Sequence, residues 1–319
     1  MCGIIGVFDI KSNPQLEKEY KKQGTEFTID LNEILNDTDI KVITICTPAH
    51  THYEIAKKCL ESGKSIVVEK PFCSSVKEAK ELLELAKEKG LMAIPFQNRR
   101  FDGDFLAVKQ VLEQGYVGEP LEIESHFDYY REDNSIHNGG PVEGSFYGLG
   151  IHTMDRMISL FGRPQKVSYD IRSIRNTEST DDYFDVSLFY SKLKATVKTS
   201  HLVAKAYPQF ILHGTKGSFI KYGIDQQEND LKAGIMPDAP GFGLDSPNQY
   251  GVVTYQNANG DWIEKQIPTP KGDYGKVYDA VYETIVNGKP KLVSDEEVIT
   301  NIEILEKGFE QSSPSVIAL

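Results

Sequence analysis

The chain has 319 residues, 39% hydrophobic and 26% charged, the composition of a folded globular protein long enough for two domains. Its 35 basic and 47 acidic residues give a formal net charge of -12, which argues against nucleic acid or an anionic membrane as the main partner. No apolar run approaches the ~20 residues that span a bilayer, and no basic segment precedes a long apolar one as in a signal peptide.

In chain order, residues 3–8 read as a buried strand ending at Asp9, residues 14–23 as a helix and Phe27-Thr28 as a short strand. Asp30 looks like the N-cap of a helix over residues 31–35, with Glu33 completing a capping box. Residues 40–46 are rich in β-branched side chains and end at Thr47-Pro48, the pattern of a central strand. An amphipathic helix over residues 52–62 closes at Gly63. Next comes the apolar strand Ser65-Ile66-Val67-Val68, which runs into Glu69-Lys70-Pro71. Proline cannot donate to a ladder and keeps its predecessor out of the helical region, so Lys70 sits extended or turned at a strand end. Open α/β sheets bind ligands at that edge. A lysine there can exchange a proton or hold a positive charge beside a polarised oxygen; the plainer alternative is a solvated loop lysine.

Ser74 or Ser75 can cap a helix over residues 76–89, ended by Gly90, and residues 91–96 form another strand, leading into Gln97-Asn98-Arg99-Arg100. Strands alternating with helices predict a Rossmann-like, doubly wound parallel sheet in a first domain, residues 1–98. The rhythm then changes. Residues 121–129 alternate like a half-exposed strand, residues 147–161 read as a helix, and strands dominate from 166 to 266. Two helices follow, near residues 275–287 and 294–312. This predicts an α+β second domain, residues 99–319, with a large open antiparallel sheet and a C-terminal helix able to pack back on the first domain. Residues 236–251 read as a surface loop, and Phe101, Tyr129, Tyr130 and Asn138 as candidate pocket walls. The four cysteines, Cys2, Cys46, Cys59 and Cys73, lack zinc-site spacing and read as reduced thiols of a cytoplasmic protein, with no metal.

Thr47-Pro48 followed by His52, then Glu69-Lys70-Pro71, Asn98-Arg99-Arg100, and Gly150-Ile151-His152 with Asp155, in that order, resemble the Gfo/Idh/MocA family of NAD(P)-dependent oxidoreductases. The run from Asn98 to Phe105, the segment Glu124-Ser125-His126-Phe127-Asp128, and Ser218 to Gly223 with Gln227-Glu228 resemble its scyllo-inositol dehydrogenase-like branch. The resemblance implies NAD or NADP as cofactor and hydride transfer with a hydroxyl carbon of an inositol or related sugar. It implies a homodimer or homotetramer through the C-terminal sheet. It also implies Lys70 and His152 as catalytic residues, and Asp9, Thr47, Pro48, His52, Glu69, Lys70 and Asn98 around the cofactor. A carboxylate at position 9 favours NAD, whereas Lys11 and Ser12 suit a 2′-phosphate. The alternative for Asp9 is a turn before Asn13-Pro14.

Two positions depart from the family pattern. No G-x-G-x-x-G turn is present to wrap a pyrophosphate. Either residues 7–9 correspond to the family's second strand, the first strand and helix being absent, or residues 1–7 are the first strand with its glycine turn deleted. Gly148 stands where the family has an aspartate, one helical turn before His152, and Asp155 lies three residues after it. These departures leave a second expectation: a catalytically impaired sensor or regulator, or a truncated product of such an enzyme.

Overall fold

The computed structural model describes residues 6–132, 140–310 and 313–314. Cys2, the first three residues of the expected opening strand and Asn138 lie outside them. The first part of the chain alternates strands and helices: β1 (Gly6–Phe8), α1 (Pro14–Lys22), β2 (Glu26–Thr28), α2 (Leu31–Asn36), β3 (Val42–Ile45), α3 (His52–Glu61), β4 (Ser65–Val68), α4 (Val76–Glu88) and β5 (Ala93–Pro95). Local chemistry sets the starts. Asn13 accepts the Leu16 N–H with Pro14 in the first turn of α1, and Ser75 accepts the Glu78 N–H to cap α4. Asp30 caps α2 through the Asn32 N–H at 2.9 Å; the reciprocal bond expected of Glu33 is not formed.

All strand pairs in this part are parallel, but they form two pieces, β1 with β2, and β3-β4-β5. A doubly wound sheet of six strands runs 3-2-1-4-5-6. Here β2-β1 and β3-β4-β5 match 3-2 and 4-5-6, and no strand among the described residues joins β1 to β3. Among the described residues β1 pairs with β2 and not with β3. The expectation that residues 40–46 form a central strand is corrected. β3 is an edge strand, and Thr44 and Cys46 are exposed because nothing among the described residues covers that side.

The second part contains α5 (Gly103–Glu113), β6 (Pro120–His126), a π-helical turn Phe146–Gly150, α6 (Ile151–Phe161), β7 (Lys166–Arg172), β8 (Tyr183–Phe189), β9 (Lys194–Ser200), β10 (Phe210–Gly214), β11 (Gly217–Lys221), α7 (Gln226–Lys232), β12 (Gly251–Gln256), β13 (Trp262–Ile267), α8 (Gly275–Asn287) and α9 (Asp295–Lys307). Its eight strands form one sheet in the order β13-β12-β11-β10-β6-β9-β8-β7. The expected antiparallel sheet has one exception, the parallel pair β6–β9, because β6 reaches the sheet long before its neighbours and is taken into its middle. Residues 236–251 are not wholly a surface loop. Phe242 is buried, and the Asp245 carboxylate is drawn inward by the buried Lys221 ammonium at 2.9 Å.

The core runs through both parts. Ala56, Cys59 and Leu60 of α3 and Ala79, Leu82, Leu83 and Ala86 of α4 bury their apolar sides with Ile66 and Val68 of β4. On the other face, Val277 and Val281 of α8 pack with Val67 and Ile94. Each such aliphatic side chain contributes about 1.5–3 kcal/mol. This packing fixes the ends of β3–β5 against the second part, where the candidate site lies.

Candidate active site

Lys70 follows β4 at its carboxyl end, before a cis peptide bond to Pro71. Beneath it lies His52, at the first position of α3 and 1% exposed. Its Nδ1 is 2.7 Å from the Pro71 carbonyl oxygen and its Nε2 is 2.8 Å from that of Thr47. The ring therefore staples the end of β3 to the end of β4. Backbone carbonyls thus face both ring nitrogens of this expected cofactor contact. Thr47 and Pro48 stand beside it, with the Thr51 hydroxyl donating to the Pro48 carbonyl and 2.7 Å from the Thr47 hydroxyl. Glu69 accepts the Lys70 N–H at 3.1 Å, and half-buried Asn98 opens the turn Asn98–Phe101 beyond β5. Asp9 is exposed past β1, and its carboxylate accepts the Lys11 N–H at 3.2 Å, a turn geometry.

The lysine side chain crosses to the second part. Lys70 Nζ donates to the Gly148 carbonyl at 3.0 Å. Gly148 lies in the π-helical turn that feeds α6, one turn before His152. Such widened turns recur at functional sites because they re-aim the carbonyls around them. His152 is buried, and its Nδ1 has no hydrogen-bond partner among the described residues. Burial, and then the positive charges of Arg99, Lys70 and Arg156, hold its pKa well below the usual 6.5, so the imidazole is neutral at neutral pH. The Lys70 pKa is lowered from 10.5, first by burial and then by Arg99, with Glu69 and Glu228 opposing. The Lys70 amine thus enters the surroundings of His152, reaching the turn that leads into it.

Asp155 does not serve His152. Both its oxygens are taken by the Arg100 guanidinium, at 2.7 and 2.8 Å, and Asn301 donates to one of them at 3.2 Å. Arg100 also meets Glu297 at 2.9 Å and donates to the Leu292 carbonyl at 2.7 Å, so it ties α6 to α9. A Cβ at position 148 would meet nothing within 4 Å, leaving space for a larger residue there.

The start of the π-helical turn is held by Asp181, which accepts the Phe146 N–H at 2.6 Å. Burial, with Asp182 adding to it, pushes the Asp181 carboxyl up to about 7. A carboxyl raised above its unfolded pKa keeps its proton in the folded state while the unfolded chain loses it. Its stabilising contribution is therefore complete below about pH 4 and is lost as pH rises through about 7. Asp181→Asn should remove up to about 1.4 kcal/mol per pH unit from the fall in stability over that window. Urea titrations at several pH values check this; an unchanged pH dependence would contradict it.

Of the candidate walls, Tyr129 lies in the cleft's surroundings: Arg131 stacks over its ring at 4.1 Å, and Arg99 and Glu228 act on its phenol. Tyr130 is 55% exposed and turns its hydroxyl to Glu132, whereas Phe101 packs into the cluster beneath α8. Sequence reasoning gave no catalytic role to Arg99 and allowed it as salt-bridged scaffold; Arg99 pairs with Asp102 at 3.1 Å and Glu228 at 3.4 Å and stacks on Phe127. It missed Tyr274 altogether, whose hydroxyl donates to Glu228 at 3.3 Å. No local signal marks Tyr274, since its separation of 47 positions from Gln227 is closed only by the fold, through the Tyr274 N–H to Gln227 Oε1 bond.

Two family models match the chain in succession: an oxidoreductase family's NAD-binding Rossmann fold over residues 3–96, and its C-terminal alpha/beta domain over residues 109–318. The chain belongs to the Gfo/Idh/MocA oxidoreductase family. The uncharacterized oxidoreductase YhhX of Escherichia coli K12 is 57% identical over 293 residues, covering 92% of this chain and 84% of that protein. The scyllo-inositol 2-dehydrogenase (NADP(+)) IolW of Bacillus subtilis 168 is 34% identical, covering 90% of this chain and 81% of that protein. The crystal structure of an oxidoreductase from Bacillus cereus superposes with a TM-score of 0.95 at 63% identity, covering 98% of this chain and 91% of that one.

The family's Rossmann domain takes a nicotinamide dinucleotide. Half-buried Lys70 and the strand-end residues Thr47, Pro48, Glu69 and Asn98 lie past the carboxyl ends of β3, β4 and β5, the edge at which such a sheet takes the nicotinamide end. The described residues offer no glycine-rich turn for its pyrophosphate, so that half of the fit is not met. No helix of the described residues is long and apolar enough to cross a membrane, and none of their His, Cys, Asp and Glu side chains form a metal cluster.

Proposed function

We propose that this oxidoreductase acts on a hydroxyl carbon of an inositol or related sugar with NAD or NADP, using His152 and Lys70. The Lys70 Nζ to Gly148 carbonyl bond carries the reading, since it ties the lysine to the turn that leads into His152. When bound, the nicotinamide supplies the hydride chemistry. Neutral His152 accepts the hydroxyl proton, and the Lys70 ammonium stabilises the alkoxide that develops. Likeness to the Bacillus subtilis scyllo-inositol 2-dehydrogenase supports the branch and the sugar class. Association into a homodimer or homotetramer would use the outer face of the eight-stranded sheet, where Ile220 is exposed. The test mixes the purified protein with NAD+ or NADP+ and a panel of inositols and aldoses, and follows reduced nicotinamide by absorbance. Turnover that falls in Lys70→Met supports the reading; turnover unaffected by that change overturns the assignment of Lys70.

A second reading, a ligand sensor with impaired chemistry, is favoured by Gly148, which offers no carboxylate beside His152. The space at that position makes Gly148→Asp the deciding variant. A rise of tenfold or more in turnover over a weak parent supports impairment; a fall supports the parent as it stands.

A further inference from the structure

Among the described residues, two hydrogen bonds join the loop after β4 to the π-helical turn Phe146–Gly150. Lys70 Nζ donates to the Gly148 carbonyl at 3.0 Å. The second bond runs the other way, from the Tyr147 hydroxyl to the Ser74 carbonyl at 3.1 Å. We propose that Tyr147 is a positioning residue for Lys70: its hydroxyl holds the loop that carries the amine within reach of the carbonyl that receives it. The consequence for the rate rests on the oxidoreductase reading; the placement of the amine does not.

The loop from Lys70 to Ser74 is short and pinned. His52 Nδ1 lies 2.7 Å from the Pro71 carbonyl oxygen, Phe72 is buried, and the Ser74 N–H donates to Glu78 at 2.9 Å. His52 belongs to α3 and Glu78 to α4, so these two bonds tie the loop to its own part of the chain. The Ser74 carbonyl instead receives its hydrogen bond from the second part, through Tyr147.

Tyr147 is itself fixed. Its ring is 3% exposed and packs against Phe309 with the centroids 6.1 Å apart, so the hydroxyl cannot turn out to solvent. Burial, with Glu306, Cys73 and Glu78 adding to it, raises its pKa from 10, so the phenol keeps its proton and donates throughout the working range. The turn is anchored one residue earlier, where Asp181 accepts the Phe146 N–H at 2.6 Å. Tyr147 and Gly148 are neighbours in the chain, and Lys70 and Ser74 flank one short loop, so the two bonds close a single small ring of contacts. Without the phenol, only the flexible four-carbon stem of the lysine would join loop to turn. A displacement of about 1 Å is enough to cost about 10²-fold in rate.

The experiment is a double-mutant cycle on Tyr147→Phe and Lys70→Met, read by urea unfolding and by kcat with NAD+ or NADP+ and the panel of inositols and aldoses. Phenylalanine keeps the ring and its packing and deletes only the hydroxyl. In the parent, Tyr147→Phe should lower kcat by about tenfold to a hundredfold and change KM by less than about twofold. In the Lys70→Met background the same change should alter kcat by less than about twofold, because it acts through the amine. The unfolding constants should couple too: the factor by which Tyr147→Phe raises the constant should be at least about threefold smaller once Lys70 is gone. Tyr190→Phe is the control, since its hydroxyl also donates to a carbonyl at 3.1 Å, that of Gly162 at the far end of α6. It should not couple to Lys70→Met.

A merely structural Tyr147 predicts one common factor in both backgrounds, as for Tyr190. That result, or a kcat untouched by Tyr147→Phe in an active parent, overturns the inference. If the parent turns over no polyol with either cofactor, the functional reading fails, and the unfolding cycle still decides whether Tyr147 places the amine. The same cycle decides it if Lys70→Met leaves no rate to measure.

Discussion

Replacing His152 by glutamine is expected to lower kcat about 10²- to 10⁴-fold, the usual worth of a positioned proton acceptor, while polyol and cofactor binding change little. Glutamine matches the imidazole in size and hydrogen-bonding reach but takes no proton at neutral pH. The pH profile of the parent gives the same argument a second readout. Burial and three neighbouring cations hold His152 neutral well below pH 6.5, so the acid limb of the rate should lie below that of an ordinary histidine. Burial lowers the Lys70 pKa, so a rate that needs its ammonium should fall as pH rises, before the 10.5 of a free lysine. Steady-state kinetics across pH check both limbs. An acid limb unchanged in His152→Gln would remove His152 from the proton step.

Arg156→Met is expected to destabilise the protein by about 3–5 kcal/mol, a large share of a typical total of about 5–15. Arg156 lies on α6 one turn past His152 and is fully buried. Its guanidinium pairs with Asp102, lies 3.5 Å from Asp104, and sits among the rings of Phe105, Phe127 and Phe210. Methionine would fill much of the space but leave Asp104 without that cation. Burial already pushes the Asp104 carboxyl up to about 7, against the pull of Arg156. Without Arg156 its folded pKa rises further above the unfolded value. Its contribution is then kept at low pH and lost as pH rises, so the variant should be weaker at pH 8 than at pH 5 relative to the parent. Urea unfolding at the two pH values measures this. Equal losses at both would show that Asp104 is not the group left uncompensated.

The sequence by itself determined the elements and their order. Periodicity marked α3, α4 and α6, the β-branched runs marked β3 and β4, and Pro71 put Lys70 at a strand end. Those signals are local, spaced by 3.6 or 2 residues, and a short window contains them. Two helices escaped it: α5, whose start at Gly103-Asp104 lacks a side-chain cap, and α7, only seven residues long. The lone placement of β1 beside β2, the edge position of β3 and the parallel β6–β9 pair followed from tertiary structure, because strand order is set by which surfaces can be buried together. The same holds for the site. Lys70 and His152 were visible one at a time, but the Lys70 bond to Gly148 spans 78 residues, and the Arg100–Asp155 pair that removes Asp155 from the chemistry spans 55. Charge pairing and desolvation act through space, and only the packed chain decides which groups share a low-dielectric cleft.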